Sequence, residues 1–390
     1  MNGRNWESRT VGELVTFSGG SQPPRSTFES TSRDGYVRLI QIRDYKTSDY
    51  LTYIPQELAR KFCRKDDVMI GRYGPPIFQI LRGLEGAYNV ALIKAIPNND
   101  VTKDYLYYFL QQEPLFVMID RLSRRSAGQS GVDLDALREY EFPLPSTDEQ
   151  KEITDLLDSV CDTINRFSKL VALVEERKLG LMQQLLSGKT RFKEFKGEKW
   201  RSYRLGELFT ERVEIGRIDL PLVSITGQNG VVPRDSLSKR DSSSEDKSKY
   251  LRITPGDIGY NTMRMWQGVA GLSQIEGIVS PAYTICIPSK QIDAQFAAYL
   301  FKTAPMIHAF HRNSQGLVDD TLSLKYHNFA RIHVTIPDVP EQKRIAAALS
   351  TCDQEIELLI KQMDCLKDQR HALMHKLLTG EIRVKVSKEN

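Results

Sequence analysis

Residues 145–191 read PSTDEQKEITDLLDSVCDTINRFSKLVALVEERKLGLMQQLLSGKTR, and residues 337–383 read PDVPEQKRIAAALSTCDQEIELLIKQMDCLKDQRHALMHKLLTGEIR. Laid over each other without a gap, at a constant offset of 192 residues, the two stretches agree at Pro145/Pro337, Glu149/Glu341, Gln150/Gln342, Lys151/Lys343, Ile153/Ile345 and Leu157/Leu349, and onward to Gly188/Gly380 and Arg191/Arg383. Self-similarity at a fixed spacing marks a duplicated structural unit. The period inside each copy identifies that unit. Ile153, Leu157, Val160, Ile164, Phe167, Val171, Val174, Lys178, Leu181 and Leu185 follow one another in alternating steps of four and three, as do Ile345, Leu349, Cys352, Ile356, Leu359, Met363, Leu366, Arg370, Leu373 and Leu377. This is the seam of a coiled-coil helix. The basic seam residue, Lys178 or Arg370, occupies the same heptad position in both copies; it either fixes register or snorkels out of the seam.

The ends match as well. Ser146 with Glu149, and Asp338 with Glu341, have the spacing of a capping box, and Gly188 and Gly380 suit the left-handed residue that stops a helix. A helix of about 41 residues rising 1.5 Å per residue extends about 60 Å and needs a partner along its length. The other copy is the expected partner. Because a segment of about 145 residues separates the two helices, antiparallel packing within one chain is expected, with the remaining segments at opposite ends of the pair and approximate two-fold symmetry.

Outside the helices the duplication continues more sparsely. Trp6-Glu-Ser8 followed by Gly12-Glu13-Leu14 returns as Trp200-Arg-Ser202 followed by Gly206-Glu207-Leu208, and Asp67/Asp257, Pro97/Pro288, Tyr108/Tyr299 and Pro114/Pro305 keep register, with Tyr88/Val279 in weaker register. The expected organisation is therefore α+β: two similar mixed α/β domains at 1–144 and 191–336, and two spacer helices at 145–190 and 337–390, the second with a C-terminal tail.

Composition sets looser bounds. The 390 residues allow more than one core, and 40% hydrophobic with 27% charged residues describes an ordinary globular protein. A formal charge of +4, from 54 basic and 50 acidic residues, does not by itself announce a nucleic-acid binder. Basic residues do thicken between Arg25 and Arg82, with eleven against seven acidic, whereas residues 200–300 hold twelve against eleven. The first cluster either neutralises phosphates or forms a solvated surface. Five scattered cysteines without a CxxC argue against a disulfide framework or a zinc site and fit a reducing cytoplasm. No signal peptide and no membrane span are expected.

The segments between the helices differ in exposed chemistry. Val37-Arg-Leu-Ile-Gln-Ile-Arg43 alternates as a half-buried strand with Ile40 and Ile42 inward and Gln41 and Arg43 outward. Leu222-Val-Ser-Ile-Thr226 places Val223 and Ile225 inward and Ser224 and Thr226 outward, followed by Gln228 and Asn229. Arginine favours guanine edges, and glutamine or asparagine favours adenine; the alternative is plain solvent-facing strand. Asp67–Gly74 and Asp257–Trp266 each read as a strand running into a loop, offering Arg72 and Tyr73 in one half and Asn261, Arg264 and Trp266 in the other, with Trp266 equally suited to a core. Arg124 and Arg125, and Arg312 in the second half, lie in polar, glycine-ended stretches suited to phosphate contact.

Taken together, these motifs resemble the specificity subunit of type I restriction-modification systems. The two helix openings IPDVPEQKRIAAALS and LPSTDEQKEITDLLD, the closings LMQQLLSGKTRF and LMHKLLTGEIRV, and GDIGYNTMRMWQG, EGIVSPAYTI, DDVMIGRYG and EGAYNVALIKAIP carry the likeness over essentially the whole chain. The resemblance implies a non-catalytic subunit that reads a split target in double-stranded DNA through two recognition domains. It implies two modification (methyltransferase) subunits and restriction subunits as partners, with S-adenosylmethionine, ATP and Mg bound by those partners and no cofactor or metal in this chain. The competing reading is a duplicated coiled-coil scaffold that binds proteins without reading DNA.

Three enzyme readings fail. Tyr73-Gly74-Pro75-Pro76-Ile77-Phe78 lacks the polar residue before and the aromatic directly after the prolines of an adenine methyltransferase loop. Asp338, Glu341 and Lys343 have the letters of a nuclease site but occupy one helical turn, where helix capping explains them better. Of the six histidines only His371 and His375, four apart, approach zinc spacing, and an exposed coiled-coil face explains them better; no Walker loop is found.

Overall fold

A computed structural model describes residues 6–125, 131–227, 230–237, 246–318 and 321–385, the side chain of Arg125 excepted. Two helices dominate it, α5 (Thr147–Leu185) and α10 (Val339–Leu378), 39 and 40 residues long. The chain divides into two compact units, and the division cuts both helices: unit 1 comprises residues 1–168 and 361–390, unit 2 residues 169–360. Each unit thus contains a globular head, the first part of one long helix and the last part of the other.

In unit 1, β1 (Glu7–Thr10) pairs antiparallel with β10 (Glu141–Leu144) and frames the head where it meets the helices. Between them, α1 (Val11–Leu14) is a single turn. The strands β2 (Val15–Gly19), β6 (Val68–Gly71), β7 (Gln79–Leu81) and β9 (Leu92–Pro97) form a sheet in the order β2-β9-β6-β7. A second sheet, β4-β3-β8-β5, joins β3 (Tyr36–Ile40), β4 (Tyr53–Pro55), β5 (Phe62–Cys63) and β8 (Gly86–Tyr88), with β3 and β8 parallel. The helices α2 (Lys103–Leu110), α3 (Glu113–Arg125) and α4 (Leu134–Arg138) complete the head. Tyr105, Leu106, Phe109 and Phe142 share one core with Ile153 and Leu157 of α5 and Met374, Leu377 and Leu378 of α10. The beginning of one long helix therefore packs with the end of the other, which is antiparallel pairing.

Unit 2 repeats the plan. β11 (Arg201–Arg204) pairs with β20 (His333–Ile336) around the single turn α6 (Leu205–Leu208). The main sheet runs β12-β19-β16-β17, built from β12 (Phe209–Glu211), β16 (Ile258–Asn261), β17 (Ala270–Leu272) and β19 (Tyr283–Pro288). The second sheet of unit 1 is here split into two pairs, β13 (Val223–Thr226) with β14 (Gly230–Pro233) and β15 (Leu251–Ile253) with β18 (Gly277–Val279), and the parallel contact shrinks to one bridge between Leu222 and Ile278. With α7 (Ala294–Leu300), α8 (Ala304–Asn313) and α9 (Tyr326–Phe329), the core joins Phe296, Phe301 and Phe329 to Met182 and Leu185 of α5 and Ile345 and Leu349 of α10.

The seam positions are buried or half-buried throughout: Ile153, Leu157 and Leu185 in α5 and Ile345, Leu349 and Leu377 in α10 are buried, and Val160, Ile164, Phe167, Leu181, Ile356, Leu359 and Leu373 are half-buried. Lys178 does not snorkel free. Its ammonium meets the Asp353 carboxylate, which also accepts from the Tyr299 hydroxyl. In unit 1 the corresponding Arg370 has, among the described residues, only the Cys161 sulfur, at 3.7 Å.

Gly188 and Gly380 end the helices in the left-handed conformation, both at φ 70°, and each presses its bare Cα face on a tryptophan that opens a head: Gly188 on Trp200 and Gly380 on Trp6. The helix starts correct one expectation. The Ser146 hydroxyl accepts from the Glu149 backbone N–H at 3.3 Å, but neither Glu149 nor Glu341 turns its side chain back to complete a capping box. Both carboxylates reach an arginine beyond the end of the other helix, Arg383 and Arg191 respectively, because a buried carboxylate gains more from a guanidinium than from one amide.

Candidate nucleic-acid interface

In each unit the main sheet delivers a loop from the strand that ends at Gly71 or Asn261. In unit 1 the turn is tight at its root: a Cβ on Gly71 would lie 3.3 Å from both Gln79 and Ile42. Phe78 holds a left-handed φ of 59°, and it and Ile77 are buried, anchoring the loop in the core. Tyr73, Gly74, Pro75 and Pro76 are exposed, and Arg72 is half-buried. The Arg72 guanidinium lies 5.3 Å from the exposed Tyr73 ring, and a Cβ on Gly131, just past α3, would touch both side chains. The Arg72 N–H donates to Ala91 and its carbonyl accepts from Val132, which ties the loop to two neighbouring segments.

The Gln41–Arg43 segment reaches the same place but not as a strand. β3 stops at Ile40, and Ile42–Tyr45 is a 3₁₀ turn, because the Gln41 N–H is captured by the Asp44 carboxylate at 3.0 Å. Burial raises the Asp44 carboxyl above its ordinary value, opposed by that N–H and by Arg38. Gln41 Nε2 donates to Thr52 Oγ1, so its amide is partly committed. Arg43 is exposed, donates to the Tyr50 carbonyl and lies 5.8 Å from the Tyr50 ring. Tyr50, 65% exposed, is an aromatic at this surface that sequence reasoning missed. Its signal was slight: one tyrosine in a Thr-Ser-Asp turn. The Ile40 carbonyl accepts from Asn89, two residues before Ala91, so the Gln41 segment and the Arg72 loop are both tied by backbone bonds to one turn. Arg124, on α3, is exposed and paired with Asp120 at 2.9 Å.

In unit 2, Asn261 spends its side-chain carbonyl on the Met263 N–H, shaping the loop rather than projecting from it. Arg264 and Met263 are exposed. Met265 is the buried anchor, Gly268 closes the turn at φ 75°, and the half-exposed Trp266 ring sits edge-on to His311 of α8 at 5.9 Å, with Nε1 donating to the Met263 carbonyl. Arg312 is exposed in the last turn of α8. The expected outward face of β13 is corrected. Ser224 is buried, 8% exposed, because the Arg234 side chain, which follows β14, folds over the face that alternation alone shows bare, with Nη1 3.5 Å from the Ser224 hydroxyl. Thr226 bonds the Gly230 carbonyl, and that turn lies against β17. Gln228, Asn229 and the Arg125 side chain lie outside the described residues.

Among the described residues, Arg72, Arg264 and Arg312 form no ion pair. Elsewhere in the basic cluster, by contrast, Arg33 pairs with Glu29, Arg38 with Asp44, and Arg82 with Asp104 and Asp158. A half-buried guanidinium beside the exposed Tyr73, and an exposed one two residues before Trp266, each without an ion pair among the described residues, are suited to phosphate or base-edge contact. Among the described residues no group of three His, Cys, Asp or Glu could hold a metal ion, and no helix is long and apolar enough to cross a membrane.

Comparisons with known proteins place the chain in a family. A family model described as the type I restriction modification DNA specificity domain matches residues 3–175 and 239–364. The chain is 24% identical to the type I restriction enzyme MjaVIII specificity subunit of Methanocaldococcus jannaschii, over 98% of its own length and 94% of the relative's. It is equally similar, at 24% identity and the same coverages, to the MjaIX specificity subunit of that organism. Among solved structures, the S subunit of the type I restriction-modification system of M. genitalium matches with a TM-score of 0.56 and 14% identity over 97% of both chains. A chain from a study of complex assembly and conformational transition in the type I R-M system matches at 0.58 and 16%, over 97% of this chain and 98% of that one. At these identities the structural likeness is one of fold.

Proposed function

The chain belongs to the type I restriction modification DNA specificity family, and from that premise we propose that each unit reads one half of a split double-stranded target. As a specificity subunit it recognises the DNA target and is itself non-catalytic. In our reading, Arg72, Tyr73, Gln41, Arg43 and Tyr50 present unit 1 to one half-site, and Arg264, Trp266 and Arg312 present unit 2 to the other, with Asn261 and Thr226 shaping their loops. The observation that carries this is the pair of unneutralised arginine-aromatic loops at corresponding positions on two otherwise dissimilar surfaces.

The functional segments proposed are recognition domains at 1–144 and 191–336 and spacer helices at 145–190 and 337–390. We assign two modification subunits and restriction subunits as partners, with S-adenosylmethionine, ATP and Mg on those partners, and a cytoplasmic location. Exposed leucines suit helix-on-helix docking by the modification subunits: Leu156 in unit 1, and Leu170, Leu173, Leu179 and Leu358 in unit 2.

The test is DNA binding by the chain assembled with its modification partner at rising salt. Each phosphate contact contributes to a falling log–log slope, and Arg264→Ala or Arg312→Ala is expected to flatten it by about one unit if the arginine meets a phosphate. Affinity indifferent to DNA and to salt supports the protein scaffold instead.

A further inference from the structure

Unit 1 carries an open groove of about 560 Å³ between the end of α10 and the head, floored by Phe109, Met118, Tyr140 and Leu378 and flanked by Glu139 and Glu141. A smaller cavity of about 230 Å³ shares Gln112 with it and adds Glu113, His371 and His375. Among the described residues lining the two cavities there are three carboxylates and no lysine or arginine. Glu141 accepts from Ser8 Oγ at 2.6 Å, and His371 Nε2 lies 3.6 Å from Glu113.

The same positions in unit 2 hold no carboxylate. The repeat fixes the correspondence. Tyr140 accepts from the Val11 N–H as Ile332 accepts from Leu205, β10 and β20 pair in the same register, and Pro114 matches Pro305. Glu113, Glu139 and Glu141 therefore stand where unit 2 has Ala304, Arg331 and His333. A surface used alike by two identical partners on a duplicated scaffold would not trade three carboxylates for an alanine, an arginine and a histidine. Nor does a phosphate backbone suit a groove walled by carboxylates.

We infer that this groove receives a lysine- or arginine-bearing apolar segment of a protein partner in the restriction-modification assembly, and that unit 1 alone takes it. The apolar floor supplies contact area, and the carboxylates supply orientation and discrimination against unit 2, which offers no carboxylate at these positions and opposes the segment with Arg331. The inference rests on the reading of the chain as a specificity subunit.

The test uses the full chain, alone and assembled with its modification and restriction subunits. Carboxylates are labelled with carbodiimide and glycine ethyl ester, and Glu113, Glu139 and Glu141 are quantified by mass spectrometry. Protection of about fivefold or more on assembly is expected, together with zero-length cross-links from Glu139 or Glu141 to a partner lysine. The double variant Glu139→Arg with Glu141→His, which carries the residues of unit 2, is expected to lose the protected partner about tenfold more readily, whereas Arg331→Glu with His333→Glu leaves its retention unchanged. Equal labelling in the free and assembled chain, or unchanged retention in the first variant, overturns the inference. DNA binding by the same samples separates the two readings: a complex that binds DNA with the groove unprotected sinks this inference alone.

Discussion

Glu149 opens α5, and Arg383, 234 residues later in the chain, closes on it: the guanidinium Nε and Nη2 lie 2.5 and 2.7 Å from the two carboxylate oxygens. Trp6 Nε1 donates to the same carboxylate at 2.9 Å. Unit 2 builds the joint again from Glu341 and Arg191, with Nε at 2.9 Å, but there the Trp200 indole N–H is buried without a partner among the described residues. A carboxylate at a helix start is thus bound to the residue that follows the other helix, which locks the ends of the antiparallel pair.

The two joints differ in burial, and their truncation should differ accordingly. The Arg191 side chain is 15% exposed, so Glu341→Ala leaves a half-buried cation without its carboxylate and is expected to cost about 2 kcal/mol. The Arg383 side chain is 39% exposed and hydrates when abandoned, so Glu149→Ala should cost about 1 kcal/mol. Urea denaturation with hydrogen exchange at the first turn of each helix reads both; equal losses contradict the burial argument.

Gly188→Ala and Gly380→Ala place a Cβ in the left-handed region and against a tryptophan ring, at 3.3 and 3.1 Å respectively. Each is expected to lower stability by about 1–2 kcal/mol from the backbone alone. Helix-interior Gly180→Ala, whose Cβ meets nothing within 4 Å, is the control and should stabilise by up to about 1 kcal/mol. Denaturation midpoints of the three variants decide it.

The seam pair of unit 2 should behave as a coupled triad. Asp353→Cys, which gives unit 2 the residue found at the matching Cys161, removes the acceptor of both Lys178 and Tyr299. A double-mutant cycle with Lys178→Met is expected to return a coupling of about 1 kcal/mol. Additive losses would show that Lys178 is held by its aliphatic stem alone.

Asp67 supplies a pH signature. Burial would raise its carboxyl, but Lys103, the Arg64 backbone N–H and Lys94 outweigh burial and hold it at about 2. A carboxyl depressed in the fold contributes stability above its unfolded value, near 3.9, and loses it as pH falls through its folded value. Asp67→Asn should therefore cost about 2 kcal/mol at pH 7, with the difference from the parent shrinking from about pH 4 downward toward pH 2. A difference independent of pH over that window would refute the ionic account.

The legible part of this protein was what repeats over short range. Heptad spacing and the Gly188 and Gly380 stops set both long helices, because a helical seam is written in consecutive turns. Partners remote in sequence were not legible. Glu149 reads as a local cap until Arg383 is folded against it, and Gln150, fully buried, serves to bond Asp100 and Thr102 of the head. The heads were read least well. Strands of three to five residues leave alternation ambiguous, so Ser224 looked exposed until Arg234 folded over it, and the Gln41–Arg43 strand dissolved into a turn nucleated by Asp44.

The central claim is that two separate heads on one polypeptide read two separate half-sites. Exchanging residues 1–144 for the first recognition domain of another member of the family, and mapping methylated motifs by long-read sequencing in a host expressing the full system, tests it directly. The account predicts that one half of the bipartite motif changes and the other is retained. A motif altered in both halves, or in neither, contradicts it.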